Sequence, residues 1–106
     1  MQTVNAANFD EEVIKSEMPV LVDFYADWCG PCKFLSPILE EVETVTPMVK
    51  FVKINTDANM ELAVEFKIRS IPTTILFKDG VELARSVGAI GKSTVEAFLR
   101  NNLKEA

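Results

Sequence analysis

Apolar and polar positions along this chain follow two periods, and the changes between them mark out the elements. A short extended start at Thr3 and Val4 leads to Asn8 and Glu11, which have the spacing of a capping box and predict a helix through Lys15. Pro19 ends that region. Val20-Leu21-Val22-Asp23-Phe24-Tyr25 is nearly continuous apolar sequence, the pattern of a strand covered on both faces. Leu35, Ile38, Leu39, Val42 and Val45 then recur at three and four, an amphipathic helix with Glu40, Glu41 and Glu43 off the stripe and a kink expected at Pro37.

Phe51 to Asn55 reads as a second buried strand, and Leu62, Val64 and Phe66 suggest a short helix after Asp57. Thr74 to Phe77 and Val81 to Val87, joined by Asp79-Gly80, predict a hairpin. Ser93 with Glu96 has the spacing to cap a last helix carrying Val95, Phe98, Leu99 and Leu103 on one face. Helices alternating with strands, closed by a hairpin, imply an α/β fold with a central mixed β-sheet flanked by helices on both faces. Residues 1–106 read as one domain, since no repeat, linker or low-complexity tract interrupts them and a single core suits 106 residues.

Composition narrows the chemistry. The chain has two cysteines and no histidine, which excludes a Ser-His-Asp triad, a Cys-His pair and an imidazole metal ligand; two thiols cannot by themselves close a four-ligand zinc site. No bound cofactor and no metal are expected. Eleven Lys and Arg against sixteen Asp and Glu give a net charge of −5, so nucleic acid is not an expected partner. The apolar runs are too short to span a membrane, and Met1-Gln2-Thr3-Val4 lacks the marks of a signal peptide, so the expected location is cytoplasmic. There, a lone cysteine pair is reactive or metal-binding more often than it is a staple.

Both cysteines fall in Ala26-Asp27-Trp28-Cys29-Gly30-Pro31-Cys32, where the first buried strand turns into the long helix. In sheets of this kind chemistry gathers beyond the carboxyl ends of the strands. Three residues apart at a helix start, Cys29 and Cys32 face the same way and could close a disulfide with little backbone movement. Free amide groups of the first turn and the positive end of the helix dipole favour a thiolate. Cys29, at the mouth, is expected to attack; Cys32, one turn in and more buried, is expected to resolve the mixed disulfide. Pro31 suits a first helical position. Two other readings stay open on these residues alone: ordinary buried thiols, or a two-ligand site for copper or for a metal or cluster shared between chains.

Trp28-Cys29-Gly30-Pro31-Cys32-Lys33, preceded by Val22-Asp23-Phe24 and followed by Pro37, resembles the thioredoxin family. Ile71-Pro72-Thr73 is similar to that family's cis-proline segment, Phe77-Lys78-Asp79-Gly80 to its hairpin turn, and Val87-Gly88-Ala89 to the strand end beside its active site. The resemblance covers essentially the whole chain and implies the thioredoxin fold. It implies Cys29 as nucleophile, Cys32 as resolving cysteine, Asp23 as the carboxylate that moves a proton to or from Cys32, and Lys53 as a modulator of Asp23. On the residues alone, Asp23 could instead be a partly wet strand-edge carboxylate, and Lys53 a snorkelling surface lysine. Ile71 before a cis Pro72 would offer free backbone groups to an extended substrate segment. Trp28, Gly30 and Pro31, with Ile71, Pro72, Gly88 and Ala89, would then form a weakly polar docking surface. Tyr25 stands where many relatives carry tryptophan, and Asp27 where glutamate or lysine is also common.

The expected activity is general protein-disulfide reduction by dithiol/disulfide exchange through Cys29 and Cys32. The expected partners are disulfide-containing substrate proteins and a separate thioredoxin reductase, with the protein itself a monomer. An oxidase or isomerase of the same fold is the alternative, though the resemblance opposes it because such relatives usually place histidine between the cysteines. A binding or chaperone module with incidental thiols is a third.

Overall fold

The nearly continuous apolar runs become the middle of a sheet, as their lack of alternation requires. The computed structural model describes residues 1–104, and among them five strands form one mixed sheet in the order β1-β3-β2-β4-β5. These are β1 (Gln2–Thr3), β2 (Val20–Tyr25), β3 (Lys50–Asn55), β4 (Thr73–Lys78) and β5 (Val81–Val87). β3 runs parallel to both β1 and β2, while β2 pairs antiparallel with β4 and β4 with β5. Asp79 (φ 53°) and Gly80 (φ 77°) both take left-handed conformations, the mirror-image turn whose twist matches that of the strands it joins.

Successive side chains of β2 go to opposite faces, and each face has its own core. Val20, Val22 and Phe24 pack with Val52, Ile54 and Ile75 on one side. That side is covered by the turn of helix at Asp10–Ile14, through Val13, and by α2 (Met60–Glu65), through Leu62. Leu21, Phe51 and Leu76 face the other side, against Leu35, Leu39 and Val42 of α1 (Gly30–Thr44) and Val95 and Leu99 of α3 (Lys92–Leu103). The expected architecture, helices on both faces of a mixed sheet, is the observed one. By the same alternation Asp23 shares the α1 face with Leu21.

Three local expectations are corrected. Asn8 does not cap the first helix: its Oδ1 accepts from Asn5 N–H at 2.8 Å, and Asn5 Oδ1 accepts from the amides of Ala7 and Asn8, a closed polar turn that withdraws both side chains. The segment that follows is a π-helical turn, with Lys15 N–H reaching Asp10 O at 2.8 Å. Ser93 likewise lies one residue inside α3, which starts from Gly91 without a side-chain cap. Val45, read as the last residue of the apolar stripe, falls beyond the end of α1 and is exposed. α1 runs unbroken through Pro37.

Candidate active site

β2 ends at Tyr25, and a short loop carries the chain into α1 so that Cys29 occupies its N-cap. Cys32 N–H donates to Cys29 Sγ at 3.2 Å, one of the free amides that the start of a helix leaves over. Pro31, in the first turn, has no N–H to leave unpaired. Cys29 and Cys32 are joined as a disulfide, with Cα atoms 5.3 Å apart. That pairing removes the reading of two unconnected buried thiols.

Exposure does not separate the two sulfurs as expected, since Cys29 is 4% and Cys32 3% accessible. What separates them is the hollow each one faces. Cys29 lines an open groove of about 540 Å³ together with Trp28, Gly30, Pro31 and Ile71. Cys32 lines a smaller cavity of about 150 Å³, partly open to solvent, whose wall includes Asp23, Ser36 and Lys53. Cys29 thus opens to the groove, and Cys32 shares its hollow with Asp23.

Asp23 sits on a strand covered on both faces and is 2% exposed; its Oδ1 has no hydrogen-bond partner. Burial pushes its carboxyl up from the ordinary 3.8 to about 7, against a smaller downward pull from the Lys53 ammonium. The wet strand-edge alternative fails on this burial. Lys53 is opposite Asp23 in the β2–β3 register, and its Nζ lies over the Tyr25 ring at 5.6 Å from the centroid. It thus neighbours Asp23 electrostatically while its head is held by an aromatic face.

The Ile71–Pro72 peptide bond is cis, and the Ile71 carbonyl oxygen lies 3.7 Å from Cys29 Sγ. Among the described residues no backbone hydrogen bond engages Ile71, whereas the Pro72 carbonyl accepts from Gly88 N–H at 2.8 Å. Gly88 takes a left-handed φ of 97° to make that bond. Pro72 is buried behind Ile71, and Ala89 packs toward the α1–α3 core. Of the expected docking residues, then, Trp28, Gly30, Pro31 and Ile71 line the groove, while Pro72, Gly88 and Ala89 stand behind or beside it.

Sequence reasoning missed the far wall. Thr56, Ala63, Ile68, Arg69 and Ser70 complete the groove, brought there from β3 onward by the packing of α2. It also missed Asp57, whose Oδ2 accepts from Trp28 Nε1–H at 2.8 Å and so holds an indole that is 71% exposed. Asn55 Oδ1 fixes Asp57 in turn by accepting from its N–H at 2.9 Å. Among the described residues no cluster of three or more His, Cys, Asp or Glu side chains is placed to hold a metal ion.

Comparison with known proteins agrees with this geometry. The family model described as Thioredoxin matches residues 1–101. A protein named thioredoxin from Porphyra purpurea is 48% identical over 97 residues, covering 91% of each chain. Thioredoxin 1 of Synechococcus elongatus is 46% identical and the thioredoxin of Pseudomonas aeruginosa 45%, each over 101 residues and 94% of both chains.

Proposed function

The chain belongs to the thioredoxin family and is a protein-disulfide oxidoreductase; from that premise we propose that it works as a general reductase in which Cys29 attacks and Cys32 resolves. The observation that carries this reading is the Cys29–Cys32 pair at the start of α1, with Cys29 opening to the groove and Cys32 to the Asp23 cavity.

In the dithiol form, the Cys32 amide and the start of α1 stabilise a Cys29 thiolate. That thiolate attacks one sulfur of a substrate disulfide. A Cys29–substrate disulfide forms, the substrate S–S bond breaks, and the leaving thiolate takes up a proton. Asp23 then accepts the Cys32 proton across the smaller cavity, for which a carboxyl near neutrality is suited. The Cys32 thiolate attacks Cys29 Sγ, closing Cys29–Cys32 and releasing the second substrate thiolate. Two electrons pass to the substrate, and a thioredoxin reductase returns two to the pair. Lys53 tempers the Asp23 carboxyl. Trp28, Gly30, Pro31 and Ile71 hold the substrate segment, with Pro72, Gly88 and Ala89 shaping the loop behind it.

The substrates on this reading are disulfide-containing proteins that lay an extended segment along Ile71, whose backbone groups make no backbone hydrogen bond among the described residues. No helix among the described residues is long and apolar enough to cross a membrane. A dithiol that must be kept reduced belongs in a reducing compartment, which we take to be the cytoplasm. Reduction of insulin disulfides tests the proposal: the wild-type protein should turn over with a recycling reductant and Cys29→Ser should not. A Cys29→Ser protein that reduced insulin at the normal rate would overturn it.

A further inference from the structure

The groove beside Cys29 does not share the acidity of the chain. The protein carries a net charge of −5, yet among the described residues the single charged one lining this groove is Arg69. Over α2 it continues into a second hollow of about 500 Å³, which shares Thr56, Ala63, Ile68 and Arg69 with the first. The charged groups lining that hollow are Asp57, Lys67 and Arg69. Asp57 is engaged by the Trp28 indole, and Glu61 and Glu65 of α2 line neither hollow. Among the described residues neither Lys67 nor Arg69 is in a salt bridge. The smaller cavity on the other side of the cysteine pair is balanced, with Asp23 and Asp27 against Lys33 and Lys53.

A second observation concerns Lys67 alone. α2 ends in a doubly bonded reversal, with Ile68 N–H to Ala63 O at 2.8 Å and Lys67 N–H to Val64 O at 3.1 Å. That closure requires a left-handed residue, usually glycine, and Lys67 supplies it at φ 54°. A long β-carbon-bearing side chain is disfavoured there, so its presence on the second hollow, which adjoins the groove, points to use of the ammonium rather than of the backbone. Met60 and Val64, 68% and 74% exposed, line the same hollow as the two cations and add an adaptable apolar flank.

We propose that Lys67 and Arg69 form a cationic rim that selects substrate segments carrying aspartate or glutamate beside the disulfide to be reduced. The proposal rests on the reductase reading and names its preferred substrate class. The rim acts on encounter and orientation, where complementary charge has its largest effect, and its reach shortens with salt.

The test uses the reduced full chain and three peptide disulfides identical except that glutamate, glutamine or lysine flanks the cystine. At about 0.01 M salt, kcat/KM should favour the glutamate peptide over the lysine peptide by about tenfold. At about 1 M salt the ratio should approach one. The Lys67→Gly/Arg69→Gln variant should lose most of the low-salt preference, and Lys67→Glu/Arg69→Glu should reverse it. Glycine fits the left-handed position, so Lys67→Gly keeps the fold, which circular dichroism verifies. Equal kcat/KM for the three peptides with the wild-type protein at low salt, or a preference that survives both variants, would overturn the rim. Failure of the wild-type protein to reduce the glutamine peptide would instead overturn the reductase reading.

Discussion

Replacing Asp23 with asparagine removes an ionisable group that the core holds against its solvation preference. Its carboxyl is 2% exposed, its Oδ1 is unpartnered, and burial moves it from 3.8 to about 7. The folded state therefore keeps a proton that the unfolded chain gives up. Below about pH 4 both states are protonated and Asp23 costs the fold nothing. As pH rises from 3.8 toward about 7 the unfolded chain binds fewer protons, so stability falls, and above that window the loss is complete. A gap of about three pH units corresponds to about 4 kcal/mol. Urea unfolding of the oxidised protein, followed by far-UV circular dichroism from pH 4 to 8.5, measures it. Relative to wild type, Asp23→Asn should gain stability steadily through that window and level off, the total gain being about 4 kcal/mol. An offset that stays constant with pH would refute the claim that burial holds the carboxyl near neutrality.

Other perturbations probe separate parts of the account. Asp57→Ala frees the Trp28 indole, which should shift Trp28 fluorescence and lower kcat/KM for insulin by about two- to fivefold, the worth of about one exposed hydrogen bond; unchanged emission and rate would remove Asp57 from the site. Lys67→Gly relieves a left-handed lysine and should raise the free energy of unfolding by about 0.5–1 kcal/mol in urea, whereas a loss would show that the stem of Lys67 packs. Phe24→Ala empties a fully buried ring that packs against Phe66 at 6.1 Å between centroids, and should cost about 3–5 kcal/mol with an unchanged m-value.

The parts of the molecule legible in the sequence are those written by burial. The apolar runs at Val20–Tyr25 and Phe51–Asn55 became the central parallel pair, and Asp79-Gly80 turned the hairpin as its residue types demand. Cap positions were less legible. Asn8 has the spacing of a cap, but Asn5 offers it a nearer partner, and at α3 Gly91 takes the position that Ser93 suggested. An exposed apolar residue misled in the same way: Val45 keeps the helical spacing yet faces outward, because spacing records a face without saying what covers it. The cysteine pair was visible because its elements adjoin along the chain. The far wall of the groove was not, since Arg69 and Ala63 come to line one groove with Cys29 only through the tertiary packing. Asp23 lies between these cases: its place in a buried run marked it, but only the sheet parity that turns it toward α1 brings it to the cavity of Cys32.

The division of labour between the two sulfurs is the centre of the account. Incubating reduced Cys32→Ser with a disulfide-bonded peptide, then mapping the product by mass spectrometry, tests it most directly. The account predicts a stable mixed disulfide at Cys29 that does not resolve in the absence of added thiol. Rapid release of the peptide thiol without an adduct, or no reaction at Cys29 at all, would contradict it.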